Sequence, residues 1–351
     1  MKKLFLMIFI FFILTLNANA ISANSVTVMD SDTKRILYSH NGDEKRLIAS
    51  ITKIMTSLVA IKNSNINDIV EINESVLKSY GSGIYVEVGE QISLEDLLYG
   101  LMLRSGNDAA IAIADYVSGS MEKFSELMNE MATSIGMKST TFINSSGLEN
   151  DKGIGNISTS NDMALLMSEA LKNKIFQKIV RTKKHTVKTN YKTYIWHNKN
   201  KLLSNYKYCT GGKTGFTEKA RRTLVTSATK DNMNLVIVTL NDPNDFKDHE
   251  DLYNKYFSLY KSYKIIDKNT TFEKKDYYIK NDIYLTLTND EYKLVETDIN
   301  YYKKNTSNIV GYINLKLNNK VLKKEFIYVK KKNIKKVKKN FIDKIKNFFK
   351  K

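Results

Sequence analysis

The sequence predicts an α/β (α+β) protein: an antiparallel sheet covered by helices, then a small all-β domain, then a C-terminal amphipathic helix. Three observations carry this. Strand-type alternation brackets a long helical stretch, which places strands from both ends of that stretch in one sheet. After Tyr263 the composition turns to Tyr, Ile, Thr, Lys and Asn in short alternating runs. The last 21 residues hold ten lysines among apolar residues at helical spacing.

The first twenty residues read as a leader. Lys2-Lys3 precede an apolar run from Leu4 to Leu16, and Ala18-Asn19-Ala20 is a small-x-small cleavage site. The run is short for a membrane span, so a cleaved signal peptide over 1–20 and export are expected. Residues 25–30 and 34–39 alternate around Asp30-Ser31-Asp32 as a hairpin. A buried helix is expected over 50–62. Ser93, with Glu95-Asp96 in the first turn, caps helices over 93–117 that Ser105-Gly106-Asn107 interrupts as a loop. Further helices are expected over 120–135 and 162–173, with a glycine-containing loop over 144–157 between them. Residues 184–196 read as a strand or hairpin. Strands over 222–229 and 234–240 turn at Asp231-Asn232, and a helix over 247–262 returns to the sheet.

The domain boundaries expected are 21–263 for the principal domain, 264–330 for the β-rich one and 331–351 for the tail. In the tail, Ile334, Val337, Phe341, Ile342, Ile345, Phe348 and Phe349 fall within an arc of about 140° at the helical period. A basic amphipathic helix of this kind lies in the plane of a membrane surface, which here would be anionic. Half of the net charge of +18 sits in this tail, so a uniformly basic nucleic-acid-binding surface is excluded. One cysteine, Cys209, excludes an intrachain disulfide framework, and four scattered histidines have no metal-ligand spacing. No metal and no cofactor are expected.

The chemistry centres on Ala49-Ser50-Ile51-Thr52-Lys53. A serine three residues before a lysine on a helix places both side chains on one face. A serine hydroxyl needs a base to become a nucleophile, and lysine serves only when neutral, which burial and a second cation such as Lys213 favour. S-x-x-K followed by S-x-N and K-T-G is a signature of serine acyl-transfer enzymes that act on D-alanyl-D-alanine or β-lactams. Here the order is Ser50/Lys53, Ser105/Asn107 and Lys213-Thr214-Gly215. Supporting segments are Val28-Met29-Asp30 through Leu37-Tyr38, Leu97 to Leu101, Asp108-Ala109-Ala110, and Phe216-Thr217 after the third motif.

With these residues the chain resembles the low-molecular-weight penicillin-binding proteins, D-alanyl-D-alanine carboxypeptidases, over roughly residues 24–262. It departs from their pattern at Ala220-Arg221-Arg222, where the family often has glycine soon after the third motif. The resemblance implies a β-lactamase-like fold and a β-rich second domain. It implies removal of the terminal D-alanine from peptidoglycan stem pentapeptides through an acyl-enzyme on Ser50, and covalent inhibition by β-lactams. Ser50, Lys53 and Ser105 would be catalytic. Asn107, Lys213, Thr214, Gly215 and Phe216 would bind substrate, with the Ser50 and Phe216 N–H groups as oxyanion hole. Lys199 is a further candidate contact for the substrate carboxylate. The resemblance also implies work at the outer face of the cytoplasmic membrane, held peripherally by 331–351. Two alternatives stand beside it. A serine β-lactamase would need a deacylating carboxylate, for which Glu169-Ala170-Leu171-Lys172-Asn173 is the nearest stretch and has the wrong spacing. A non-catalytic wall-binding protein of the same fold is the other.

Overall fold

The computed structural model describes residues 21–274, 276–302 and 308–330. The leader expected over 1–20 and the amphipathic helix expected over 331–351 lie outside the described residues. Among the described residues, no helix is long and apolar enough to cross a membrane. The chain divides into two units: one runs to Lys230 and includes Asn234–Tyr256, and the other comprises Asp231–Met233 and the chain from Phe257.

In the first unit, β1 (Ser25–Asp30) and β2 (Arg35–His40) form the expected hairpin. The expected helix over 50–62 starts as a 3-10 turn at Ala49–Thr52 and continues as α1 (Lys53–Asn63). Ile54, Met55, Leu58 and Val59 of α1 are enclosed, and each such side chain contributes about 1.5–3 kcal/mol on burial. Helix α2 (Leu94–Tyr99) is capped by Ser93, whose Oγ accepts from the Asp96 N–H at 3.0 Å. A π turn at Gly100–Arg104 then leads to α3 (Asn107–Ser118) and α4 (Met121–Ile135).

Helix α5 (Ser160–Ala170) ends three residues before its expected limit, and a separate helix α6 (Lys174–Arg181) follows. Asn173 makes the break. Its side chain accepts from Ile175 N–H at 2.8 Å and Phe176 N–H at 3.2 Å, so it caps a new helix instead of ending the old one. Next come the hairpin β3 (Lys184–Lys188) and β4 (Thr193–His197), then β5 (Cys209–Thr217), β6 (Arg221–Lys230), β7 (Met233–Leu240) and α7 (Asp245–Leu259). Helix α7 stops short of the expected 262 because strand geometry resumes at Lys261.

The main sheet has the order β2-β1-β7-β6-β5. Strand β1 pairs antiparallel with β7, Ser25 opposite Leu240, so the two ends of the unit meet as the alternation predicts. Val225, Val236, Val238 and Leu240 face a core built by α1 to α6. The alternate residues Thr226 and Thr239 face α7, where they bond the buried ring of His249 at 2.7 and 3.0 Å. Strand β5 is an edge, open to an added strand.

The second unit carries β8 (Lys261–Ile266), β9 (Tyr277–Tyr278), β10 (Ile283–Leu287), β11 (Val295–Tyr301), β12 (Ile309–Leu317) and β13 (Lys320–Val329). Its sheets are β8-β10 and β9-β13-β12-β11, around Leu285, Ile313, Leu315 and Ile327. The short alternating runs expected after Tyr263 include β10, β12 and β13. Among the described residues, a short α-helical turn, Asn289–Tyr292, interrupts the strands.

Candidate active site

Ser50 sits in the 3-10 turn that opens α1, preceded by Ala49 in the left-handed region at φ 48°. A non-glycine residue there is strained and is held only by its surroundings. Part of that hold is the loop over 144–157. Gly147 (φ 87°) packs so closely that a Cβ would lie 1.9 Å from the Ala49 carbonyl oxygen. On the other side, a Cβ on Gly215 of β5 would come within 2.9 Å of the Ser50 nitrogen and 3.1 Å of the Ile51 nitrogen. Two glycines thus let two backbones close on the serine.

One turn on, Lys53 is fully buried. Its Nζ lies 3.1 Å from Ser50 Oγ, 2.8 Å from Asn107 Oδ1 and 2.6 Å from the Ser146 carbonyl oxygen. Burial, then the charge of Lys199, bring its pKa from the ordinary 10.5 to about 7, against an opposing pull from Asp108. Lys199 thereby takes the part expected of Lys213. The reason is that Lys213 is itself held well below its ordinary range by burial, then by the charges of Lys53 and Lys199.

Ser105 ends the π turn in the left-handed region at φ 65°. That backbone presents its Oγ to Lys213, whose Nζ donates to it at 3.0 Å and to the Thr214 carbonyl at 2.5 Å. Asn107 is pinned from both ends. Its N–H donates to the Ser82 carbonyl at 2.8 Å, and its Nδ2 donates to the Tyr80 carbonyl at 2.6 Å. Asp108 holds the same 80–85 loop by accepting from the Ile84 and Tyr85 N–H groups at 3.0 and 2.6 Å.

These groups border a cleft of about 370 Å³ along the β5 edge. Of the anticipated residues, Ser50, Ser105, Thr214, Gly215 and Phe216 line it, as does Lys199. Lys53, Asn107 and Lys213 lie beneath the wall, each at most 3% exposed. Sequence reasoning missed several contributors. Ser82, Lys201, Arg222, Asp245 and Phe246 also line the cleft, with Arg222 donating to Asp245 at 2.6 Å and stacked 5.6 Å over Phe246. The departure from the family pattern at Ala220-Arg221-Arg222 was the available signal for Arg222. The Ser146 carbonyl left none, because a backbone oxygen has no residue signature. Glu169 is not among the lining residues; it is tied to Lys34 at 3.0 Å and Lys172 at 2.9 Å. No cluster of His, Cys, Asp and Glu that could hold a metal occurs among the described residues.

A model of the D-alanyl-D-alanine carboxypeptidases, a peptidase family, matches residues 14–244. The chain belongs to this family. It is similar to D-alanyl-D-alanine carboxypeptidase DacF of Bacillus subtilis, 35% identical over 222 residues that cover 62% of this chain and 56% of that protein. It is also similar to DacC of Escherichia coli, 36% identical over 273 residues covering 74% of this chain and 67% of that one. In structure it resembles the Streptomyces K15 DD-transpeptidase, with a TM-score of 0.65 and 32% identity, over 70% of this chain and 100% of that one. The chain thus spans little more than half the length of the Bacillus relative.

Proposed function

We propose that this chain is a serine D-alanyl-D-alanine carboxypeptidase that works through an acyl-enzyme on Ser50. The observation that carries this is the environment of Lys53 Nζ. A neutral amine has two N–H groups and one lone pair. The Asn107 oxygen and the Ser146 carbonyl take the two hydrogens, at 2.8 and 2.6 Å. The lone pair is left for the Ser50 hydroxyl at 3.1 Å. With a pKa of about 7, about half of the molecules hold that neutral form at neutral pH.

The proposed course follows. Ser50 Oγ attacks the carbonyl between the two D-alanines as Lys53 takes its proton. The Ser50 and Phe216 N–H groups receive the oxyanion. Ser105, bonded to Lys213, passes a proton to the leaving amine. The terminal carboxylate sits against Thr214, with Lys213 beneath and Lys199 across the cleft. Burial, then the charges of Lys53 and Lys199, hold the pKa of Lys213 well below its ordinary range, and an arriving carboxylate supplies a counter-charge that favours its protonated form. Gly215 leaves room for the peptide to lie along the β5 edge. Water then frees the acyl group.

The bound position of Glu169 removes the nearest candidate for a deacylating carboxylate and disfavours a β-lactamase. β-Lactams acylate the same oxygen in this reading. Residues 1–20 direct export, 264–330 form a non-catalytic β domain, and 331–351 rest on the anionic outer face of the membrane. Ser50→Ala tests the core of it. The variant should release no D-alanine from a pentapeptide and take up no fluorescent penicillin; stoichiometric labelling of the variant would remove Ser50 from the role.

A further inference from the structure

Residues just after the expected leader cleavage site are bonded to the loop between β7 and α7 and to the first turn of α7. The Ser22 N–H donates to Asp248 Oδ2 at 2.6 Å. The Ser22 hydroxyl lies 2.6 Å from Asp242 Oδ1 and 2.8 Å from Asp248 Oδ2. The Asn24 N–H donates to the Asn241 carbonyl at 3.1 Å. A hydroxyl carries one hydrogen, so with the Ser22 N–H serving Asp248 the hydroxyl can donate to Asp242, and Ser22 then has no further donor for either carboxylate.

The donor count falls short elsewhere too. Asp242 is fully buried, and its Oδ2 has no hydrogen-bond partner. Its Oδ1 accepts from Ser22 and from the Asn244 N–H, the latter at 3.1 Å. Neither Asp242 nor Asp248 forms an ion pair among the described residues. Nearby Arg222 is paired with Asp245, and exposed Lys247 with Asp251. Burial first, with the charge of Asp248 adding to it, pushes the Asp242 carboxyl up to about 6. Two acids buried side by side without a cation are an incomplete site.

We propose that Asp242 and Asp248 are the docking site for the α-ammonium of Ile21, produced when the leader is removed. The inference rests on the export reading. Hydrolysis of the Ala20–Ile21 bond consumes one water; the carboxylate leaves with the leader and the ammonium stays on Ile21. Consecutive backbone nitrogens lie within about 4 Å of each other, so this group emerges beside the carboxylate that already holds the Ser22 nitrogen. It brings three donors and a positive charge to a place short of both. Maturation by a leader peptidase therefore completes the fold where β1 meets the start of α7. The Asp242 N–H also donates to the Arg222 carbonyl at 3.0 Å, so the completed site adjoins the strand that carries a cleft-lining arginine.

The test compares the chain beginning at Ile21 with one that keeps Asn19-Ala20 in front. The Ile21 chain should melt several degrees higher, and Asp242→Asn or Asp248→Asn should close that gap. On the unsubstituted Ile21 chain, the rate of α-amine acetylation by acetic anhydride as a function of pH should show a pKa above the ordinary ~7.7–8.0. Equal melting of the two chains, or an amine with the ordinary pKa, would overturn the docking. The mass of the exported protein tests the leader separately. A start other than Ile21 would overturn the claim that processing supplies the group, whatever the carboxylates do with an ammonium placed there.

Discussion

The proton on Lys53 should set the acid limb of activity. At its ordinary pKa of 10.5, roughly one lysine in three thousand would be neutral at pH 7; at about 7, half are. Below that value the neutral fraction, and with it kcat/KM for D-alanine release, should fall about tenfold per pH unit. The acylation rate with a fluorescent penicillin should trace the same limb, because both substrates need the same proton transfer. Lys199→Gln gives the sign check. Its charge is the second cause lowering the pKa of Lys53, after burial. Removing it should move the limb toward higher pH, so the variant should be most impaired in acid and recover as pH rises. Rates of the unsubstituted enzyme would be read from about pH 5 to 9. A flat profile down to pH 5, or a Lys199→Gln limb displaced toward acid, would refute Lys53 as the base.

Three further outcomes are expected. Lys213→Ala should cost about 2–5 kcal/mol on substrates with a free C-terminal carboxylate and much less on the amidated peptide; kcat/KM for the pair decides, and equal losses would exclude the carboxylate role. Gly147→Ala should destabilise the first unit by at least ~2 kcal/mol, because a left-handed residue would also meet the Ala49 carbonyl; denaturant unfolding measures this, and penicillin acylation should fall with it as Ser50 shifts. A chain ending at Lys330 should keep its activity on soluble peptide but lose co-sedimentation with anionic liposomes. The binding of the longer chain should weaken with salt, since each lysine at such a surface is worth about 1 kcal/mol; equal pelleting of the two would dismiss the anchor.

The sequence exposes this site unevenly, and the reason is physical. Side-chain chemistry at fixed helical spacing is legible, so Ser50 and Lys53 can be placed from residue type and spacing alone. The main sheet is legible because its strands alternate and its ends must pair. The α5–α6 break was missed because Asn173 fits a helical pattern as well as it caps a new helix. Backbone contributions leave no residue signature. The Ser146 carbonyl holds Lys53, and the left-handed turns at Ala49 and Ser105 aim the motifs, yet nothing in those residue types announces it.

Distance along the chain hides the rest. Lys199, expected only as a carboxylate contact, joins the cleft from beyond β4 and acts on Lys53 as well, and Arg222 reaches the cleft across the sheet from the neighbouring strand. Their charge matters because Lys53 and Lys213 are buried. A charge in open water is strongly screened, whereas the charge of Lys199 acts on amines buried beneath the cleft wall, where screening is weaker. In the proposed mechanism the motifs therefore name the reacting groups, while the protonation state that would make them reactive depends on residues the motifs do not contain. The Lys199→Gln profile distinguishes these two levels: a shifted limb with the maximal rate preserved at high pH would mean that the rim tunes the base without belonging to the reacting set.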